Sequence, residues 1–174
     1  VPPSKSYTNR ALIVSALADG TSRLLNPSVS EDSLLLVDAL KEFGIPIETM
    51  DGYLEVRGSG GVLQPPRKEI DVGNAGTAMR FLATLAGLTP GVTILTGNEQ
   101  MRKRPMNDLL HALRLSGITC SSNNGYPPVR IEGGTFQGGR IDVDASISSQ
   151  FVSSILLSAP YAKRPFSLHI KGKL

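Results

Sequence analysis

The residues of this chain best suited to chemistry are those that could hold an anion, and they fall into a few short polar clusters. Lys5, Ser6 and Arg10 lie within Val1-Pro-Pro-Ser-Lys-Ser-Tyr-Thr-Asn-Arg10. A lysine offers a point charge, a serine a hydroxyl donor, and an arginine two donors to grip an oxyanion. Arg10 follows Ser6 by four residues, so the two can share one side of a helix start. A solvated N-terminal segment with a surface arginine fits the same residues. The second cluster is Asn74-Ala-Gly-Thr77, where Gly76 lets the backbone approach a ligand and Thr77 can cap. A capped helix start without ligand has that composition too. The third is Ser148-Ser149-Gln150, two hydroxyls and an amide, again compatible with simple capping. Arg102-Lys-Arg-Pro105 precedes a helical pattern. Cations there oppose the helix dipole unless an anion lies between, which marks Arg104 as a candidate anion ligand.

Other reactive side chains carry less. His111 falls within a helical pattern and His169 within a strand, with no partner at metal or triad spacing, so both read as structural. Cys120 reads as a small buried hydrophobe in a strand. Asp71, Asp142 and Asp144 sit near strand ends, where aspartate caps turns, although acid–base work is open to them. There is no P-loop, no dinucleotide fingerprint and no metal-ligand cluster.

Composition narrows the partner. The 174 residues carry a net charge of +3, which suits either nucleic acid or small anions. Aromatics are 5%, there is no tryptophan, and the one dense basic run is Arg102-Lys103-Arg104, so the basic stripe with interleaved aromatics of nucleic-acid binding is missing. No apolar run reaches the roughly 20 residues of a bilayer span. A lone cysteine rules out an internal disulfide and fits a reducing, cytoplasmic setting. No basic, cleavable leader is visible, and Val1 opens inside a motif, so upstream sequence is expected.

The elements that must position these clusters repeat at about 70 residues. Ile70-Asp-Val before the second cluster matches Ile141-Asp-Val before the third. Asp38-Ala-Leu-Lys-Glu-Phe-Gly-Ile matches His111-Ala-Leu-Arg-Leu-Ser-Gly-Ile, and Tyr53-Leu-Glu-Val-Arg-Gly matches Pro128-Val-Arg-Ile-Glu-Gly. Each unit reads loop, helix, strand, helix, strand, strand, strand. The repeats run 1–72, 73–143 and an incomplete 144–174, one partial domain lacking the second helix and last strands of its third unit. Helices are predicted over 8–18, after a Ser30 cap to Gly44, from Ala75-Gly76-Thr77 to about Leu88, from Pro105 at the first helical position to Gly117, and over 148–157. Strands are predicted over 45–49, 54–57, 92–96, 118–121, 129–132 and 166–170. Three helix N-termini gathered by pseudo-symmetry would make one anion site.

The four motifs Pro3-Ser-Lys-Ser-Tyr-Thr-Asn-Arg10, Gly73-Asn-Ala-Gly-Thr-Ala-Met-Arg80, Arg102-Lys-Arg-Pro-Met106 and Ser148-Ser-Gln150 resemble, in order, those of the EPSP synthase (3-phosphoshikimate 1-carboxyvinyltransferase) family. The resemblance covers essentially the whole chain. It implies an α/β (α+β) fold of pseudo-symmetric βαβαββ repeats, the inside-out α/β barrel of enolpyruvyl transferases, with the third repeat truncated and a C-terminal domain absent. It implies a shikimate-pathway reaction, the target of glyphosate. The 5-hydroxyl of shikimate 3-phosphate attacks phosphoenolpyruvate, a tetrahedral adduct forms and phosphate leaves, with no cofactor or metal. By motif position, Lys5 contacts both substrates and counts as catalytic; Ser6, Arg10, Ser148 and Ser149 bind shikimate 3-phosphate. Asn74, Gly76 and Thr77 border the phosphoenolpyruvate pocket, Arg104 grips that substrate, and Gln150 reaches both. Acid–base residues would come from the C-terminal domain, so this chain alone is expected to be inactive. Two positions depart from the common family pattern, Pro2-Pro3 for Pro-Gly and Phe81 for Pro. The alternatives are a UDP-N-acetylglucosamine enolpyruvyl transferase, which uses a loop cysteine where Cys120 is in a strand, and a non-catalytic nucleic-acid-binding module of related fold.

Overall fold

A computed structural model describes residues 3–172, leaving the first two residues of the opening motif outside. The chain runs α1 (Lys5–Leu17), β1 (Thr21–Leu25), α2 (Glu31–Glu42), β2 (Ile47–Met50), β3 (Tyr53–Arg57), β4 (Ile70–Asp71), α3 (Gly76–Leu88), β5 (Gly91–Thr96), α4 (Asn107–Leu115), β6 (Thr119–Asn123), β7 (Tyr126–Gly133), β8 (Gly139–Asp144), α5 (Ser149–Ser158) and β9 (Phe166–Lys171). Short 3₁₀ turns occupy Met101–Lys103 and Ala159–Tyr161.

The repeat seen in the sequence is a repeat of hydrogen bonding. In the first unit the strand order is β1-β3-β2, antiparallel throughout. In the second, β5-β7-β6 copies it, and β4 adds in parallel to β5. β8 then pairs in parallel with β9, as β4 does with β5. The Ile-Asp-Val strand that leads into one unit's helix is thus bonded to the strand that follows that helix, a βαβ crossover. The sheets stay open, as in a partial domain.

Helices α1, α3 and α5 pack against one another inside this shell. α3 is the most buried: only its Arg80 and Leu88 are more than marginally accessible. Its run Ala78-Met-Arg-Phe-Leu-Ala-Thr-Leu-Ala-Gly87 is apolar nearly all round, as expected of a helix with neighbours on every side. Thr84 and Ser154 share a buried hydroxyl–hydroxyl hydrogen bond at the α3–α5 contact, and Ser154 also donates to the Arg80 carbonyl, which satisfies these polar groups in the core. Phe43, Phe81, Phe151, Leu12, Leu36 and Leu82 are among the fully buried side chains.

Several boundaries differ from the sequence reading. α1 begins at Lys5 rather than Thr8, with the Thr8 N–H donating to the Ser4 carbonyl at 2.9 Å. The apolar stripe that signals the helix begins only later, because the first turn projects Lys5, Ser6 and Tyr7 into solvent. Lys5 and Ser6 therefore stand on the helix and not on the loop before it. α4 begins at Asn107, so Pro105 is outside it and Met106 is the N-cap. The Met106 N–H donates to the Gly125 carbonyl in the β6–β7 turn, which holds that residue out of helical geometry. α5 starts one residue after Ser148, which caps it: its hydroxyl accepts from the Gln150 N–H at 3.3 Å. Strand β1 fills the strand that the unit pattern puts between the first two helices, but no range was predicted for it, since Thr-Ser-Arg-Leu-Leu does not alternate.

Candidate active site

The loop before α3 is shaped by short-range bonds that set the start of that helix. Asp71 Oδ1 accepts from the Gly73 N–H at 2.7 Å, closing an Asx-type turn. Gly73 takes φ 53°, the left-handed region that glycine enters without strain. The Gly73 carbonyl then accepts from the Asn98 N–H at 3.0 Å, fastening the β5–α4 loop onto the α3 loop. Asn98 Oδ1 in turn accepts from the backbone of Gln100 and Met101, setting up the 3₁₀ turn.

That docking decides where the basic run points. Arg102 Nε donates to the Gly97 carbonyl, a structural role. Arg104, by contrast, reaches Asn74: its Nη2 donates to Asn74 Oδ1 at 2.7 Å, and Asn74 Nδ2 donates to Gln100 Oε1 at 2.8 Å. Arg104 was marked as an anion ligand because it precedes α4. It lies instead over the N-terminus of α3, where Asn74, Gly76 and Thr77 are. A Cβ placed on Gly76 would come within 2.5 Å of Arg104 Nη1 and 3.1 Å of Arg80 Nη1. Ala75, the α3 N-cap, makes no side-chain capping bond. One uncapped helix start is thus flanked by two guanidinium groups, an arrangement suited to a small anion.

Arg80 is the site residue that the sequence reading quoted in a motif without assigning. Its Nη1 donates to Gln150 Oε1 at 2.7 Å, while Gln150 Nε2 donates to Thr77 Oγ1 at 3.0 Å, tying α3 to α5. Burial, and then the neighbouring Arg104 charge, lower the Arg80 pKa. Its Nε is buried without a hydrogen-bond partner. The clue in the sequence was the repeat, which aligns Arg80-Phe-Leu with Arg10-Ala-Leu.

The first and third clusters also meet. Arg10 Nη1 donates to the Ser6 carbonyl at 3.0 Å and to Ser6 Oγ, and its Nη2 donates to Ser153 Oγ at 3.2 Å on α5. Ser153 Oγ donates to the carbonyl of Ser149, one turn earlier. Ser149 is exposed at the start of α5, with Ser148 as its cap. Lys5 is set apart from these groups in its bonding: its Nζ pairs with Asp32 Oδ2 at 2.9 Å in the first turn of α2.

Among the described residues, Arg10, Arg80 and Arg104 form no ion pair. Their charge is left without a carboxylate partner, beside the N-terminal ends of α3 and α5. Two wide clefts open elsewhere. One of 610 Å³ runs along Tyr7, Ala11 and Leu25, and one of 620 Å³ beside Leu156, Phe166 and Leu168; no candidate residue lines either. The candidate surface is an open wall rather than an enclosed pocket.

The remaining suspects have structural roles. Cys120 is buried in β6, its thiol donating to the Leu110 carbonyl, and burial raises its pKa from 9.0. Asp142 lies among Arg140, His169 and Lys171, and Asp144 Oδ1 accepts from the Ser146 N–H. No group of three metal-ligating side chains exists among the described residues. None of the described helices is long and apolar enough to cross a membrane.

One expected result belongs to this geometry. Gly76→Ala keeps the fold, because the clashing atoms are the far ends of two flexible side chains. It displaces Arg104 and Arg80 and lowers affinity for a small carboxylate-phosphate ligand by about tenfold, the loss of one charge-assisted bond. Calorimetric titration with phosphoenolpyruvate checks this; an unchanged affinity would show that the two guanidiniums do not meet the ligand there.

Known proteins show the same pattern. The family model described as EPSP synthase (3-phosphoshikimate 1-carboxyvinyltransferase) matches residues 1–174. A 3-phosphoshikimate 1-carboxyvinyltransferase of Methanosphaera stadtmanae is 43% identical, over 98% of this chain and 41% of that protein. One of Rhizobium leguminosarum bv. trifolii is 44% identical, over 99% of this chain and 41% of the relative. The structure of EPSP synthase from Acinetobacter baumannii superposes with a TM-score of 0.89 at 31% identity, covering all of this chain and 40% of the other. The enolpyruvyl transferase NikO from Streptomyces tendae shares the fold, with a TM-score of 0.70 at 17% identity over 97% of this chain and 39% of the other. The chain spans about two fifths of the length of these relatives. With four motifs in order, a repeat of matching topology and this coverage, the chain belongs to the EPSP synthase family.

Proposed function

We propose that this chain supplies the shikimate 3-phosphate-binding half, and part of the phosphoenolpyruvate pocket, of an enzyme that transfers the enolpyruvyl group to the 5-hydroxyl of shikimate 3-phosphate. The observation that carries this reading is that three arginines, none of them ion-paired among the described residues, reach the N-terminal ends of α5 and α3: Arg10 bonds Ser153, Arg80 bonds Gln150, and Arg104 bonds Asn74 beside Gly76. Both substrates are anions, and each would offer oxygens to donors already in position. Ser6, Arg10, Ser148 and Ser149 bind shikimate 3-phosphate, and Gln150 lies between the two substrates. Asn74, Gly76, Thr77 and Arg104, with Arg80 added, hold phosphoenolpyruvate. Lys5 leaves Asp32 to bridge both.

These groups bind and orient; none of them is placed to remove a proton from a hydroxyl and return it to the enol carbon. That work falls to residues of the longer protein, of which the partial domain 1–174 is one portion. A cytoplasmic setting accords with the single buried thiol.

The test uses the 174-residue chain. Saturating shikimate 3-phosphate should raise its unfolding temperature, with phosphoenolpyruvate adding little, and mixing both substrates should give no EPSP. EPSP formation by the purified chain would overturn the division of labour. Absence of any protection, together with RNA binding that falls steeply with salt, would favour a nucleic-acid module instead.

A further inference from the structure

Two arginines on successive units are seated in the same way. Arg10 of α1 lies over the ring of Phe81 in α3, with its Cζ 5.6 Å from the ring centroid. Arg80 of α3 lies over the ring of Phe151 in α5, at 5.5 Å. In each pair the phenylalanine follows its arginine by about 70 residues, one repeat length. Both rings are buried, at 1% and 0% exposure, so neither can turn away to solvent. Each arginine also donates to the helix of the third unit, Arg10 to Ser153 and Arg80 to Gln150.

We infer that Phe81 and Phe151 are positioning residues, each holding the guanidinium of the preceding unit flat so that a defined edge faces the ligand. The donors of Arg10 make the case concrete. An arginine has five N–H donors. Both on Nη1 are engaged by Ser6, one on Nη2 is engaged by Ser153, and the ring closes one face of the plane. At least two of its five N–H donors remain for the oxygens of a phosphate or carboxylate. Arg80, over Phe151 with its Nε buried, turns its Nη1 toward Gln150 and Gly76. The rings are buried, so one side of each contact is shielded from water, which strengthens the attraction of cation to ring face. In both pairs the ring comes from the following unit, so each arginine is seated across a seam, whereas Arg23 over Tyr53 is a contact of the same kind within the first unit.

The identity of the ligand rests on the functional reading above; the seating of the arginines does not. Replacing Phe81 with a fluorinated phenylalanine weakens the ring quadrupole while keeping its shape, so the chain still folds. In the ligand-free 174-residue chain, nitrogen-detected NMR of the Arg10 guanidinium should then show faster rotation about its terminal bonds, with Arg80 unchanged as internal reference. Affinity for shikimate 3-phosphate should fall about fivefold, and Phe81→Leu should fall further. The same replacement at Phe151 should loosen Arg80 and spare Arg10. If fluorination leaves the Arg10 signals unchanged, the inference is overturned, whatever happens to binding. Loosening of Arg10 in a chain that binds no shikimate 3-phosphate upholds the positioning and overturns the functional reading.

Discussion

Arg10→Ala should abolish the thermal protection that shikimate 3-phosphate gives this chain. Each charge-assisted hydrogen bond from a guanidinium to a phosphate contributes about 1.5–3 kcal/mol. Losing two such bonds would weaken binding by about 3 kcal/mol, more than a hundredfold. The variant should keep its fold, because Arg10 is only half-buried and its partners, the Ser6 carbonyl and hydroxyl and the Ser153 hydroxyl, can turn to water. The comparison variant is Arg23→Ala, which removes an exposed arginine paired with Glu55 on the neighbouring strand. It changes net charge equally and should leave the protection intact. Thermal unfolding with and without ligand decides the matter: protection that survives in Arg10→Ala removes Arg10 from the site, and equal loss in both variants would mean that only overall charge is at work.

Gly133→Ala should be the most damaging small substitution for stability. A Cβ there would lie 2.0 Å from the Ala86 carbonyl oxygen and 2.1 Å from that of Thr89, both backbone atoms at the end of α3. Neither oxygen can swing aside cheaply, since the adjacent Gly134 N–H is bonded to the Gly87 carbonyl at 2.9 Å. Strand and helix would have to separate, at a cost of about 3 kcal/mol. Gly58 is the counterpart in the first unit, where a Cβ would come within 2.2 Å of the Ala18 oxygen and 2.5 Å of the Ser15 oxygen. Gly58→Ala should therefore behave alike. Gly52 has φ 77° but open space, so Gly52→Ala isolates the backbone cost alone, about 1 kcal/mol. Urea unfolding ranks the three. A Gly133→Ala midpoint no lower than that of Gly52→Ala would mean that the strand–helix contact is looser than described.

Much of the fold was legible because it is local. Ser30 caps α2 as read, its hydroxyl accepting from the Ser33 N–H. α3 runs to Leu88 as read, and the strands around 54–57, 92–96, 129–132 and 166–170 appear within a few residues of where alternation put them. These signals depend on neighbours in sequence. The start of α1 was missed because its first turn is solvated, and periodicity of apolar residues is silent there. Pro105 misled because a Pro suits the first helical position in general, whereas a hydrogen bond from Met106 to Gly125 delays this helix. For the candidate site, the residue types were legible and their partners were not. Nothing in Arg102-Lys-Arg104 says which of three cations turns inward; the docking of the Asn98 loop on Gly73 does.

By itself the sequence determined the repeat, the order of the elements and the set of polar residues at each helix start, since periodicity, caps and glycines act within a few residues along the chain. The charge run itself pointed Arg104 at α4, the resemblance grouped it with Asn74 and Gly76, and the tertiary structure supplies the bond to Asn74 at the α3 start. It alone decided that Arg80 bonds Gln150 across to α5, and that Arg10 and Arg80 rest on the rings of Phe81 and Phe151. The physical reason is the same in each case. A guanidinium takes its direction from the carbonyl, hydroxyl or ring that meets it, and here those partners come from a neighbouring loop or another unit, so the direction exists only once the units pack.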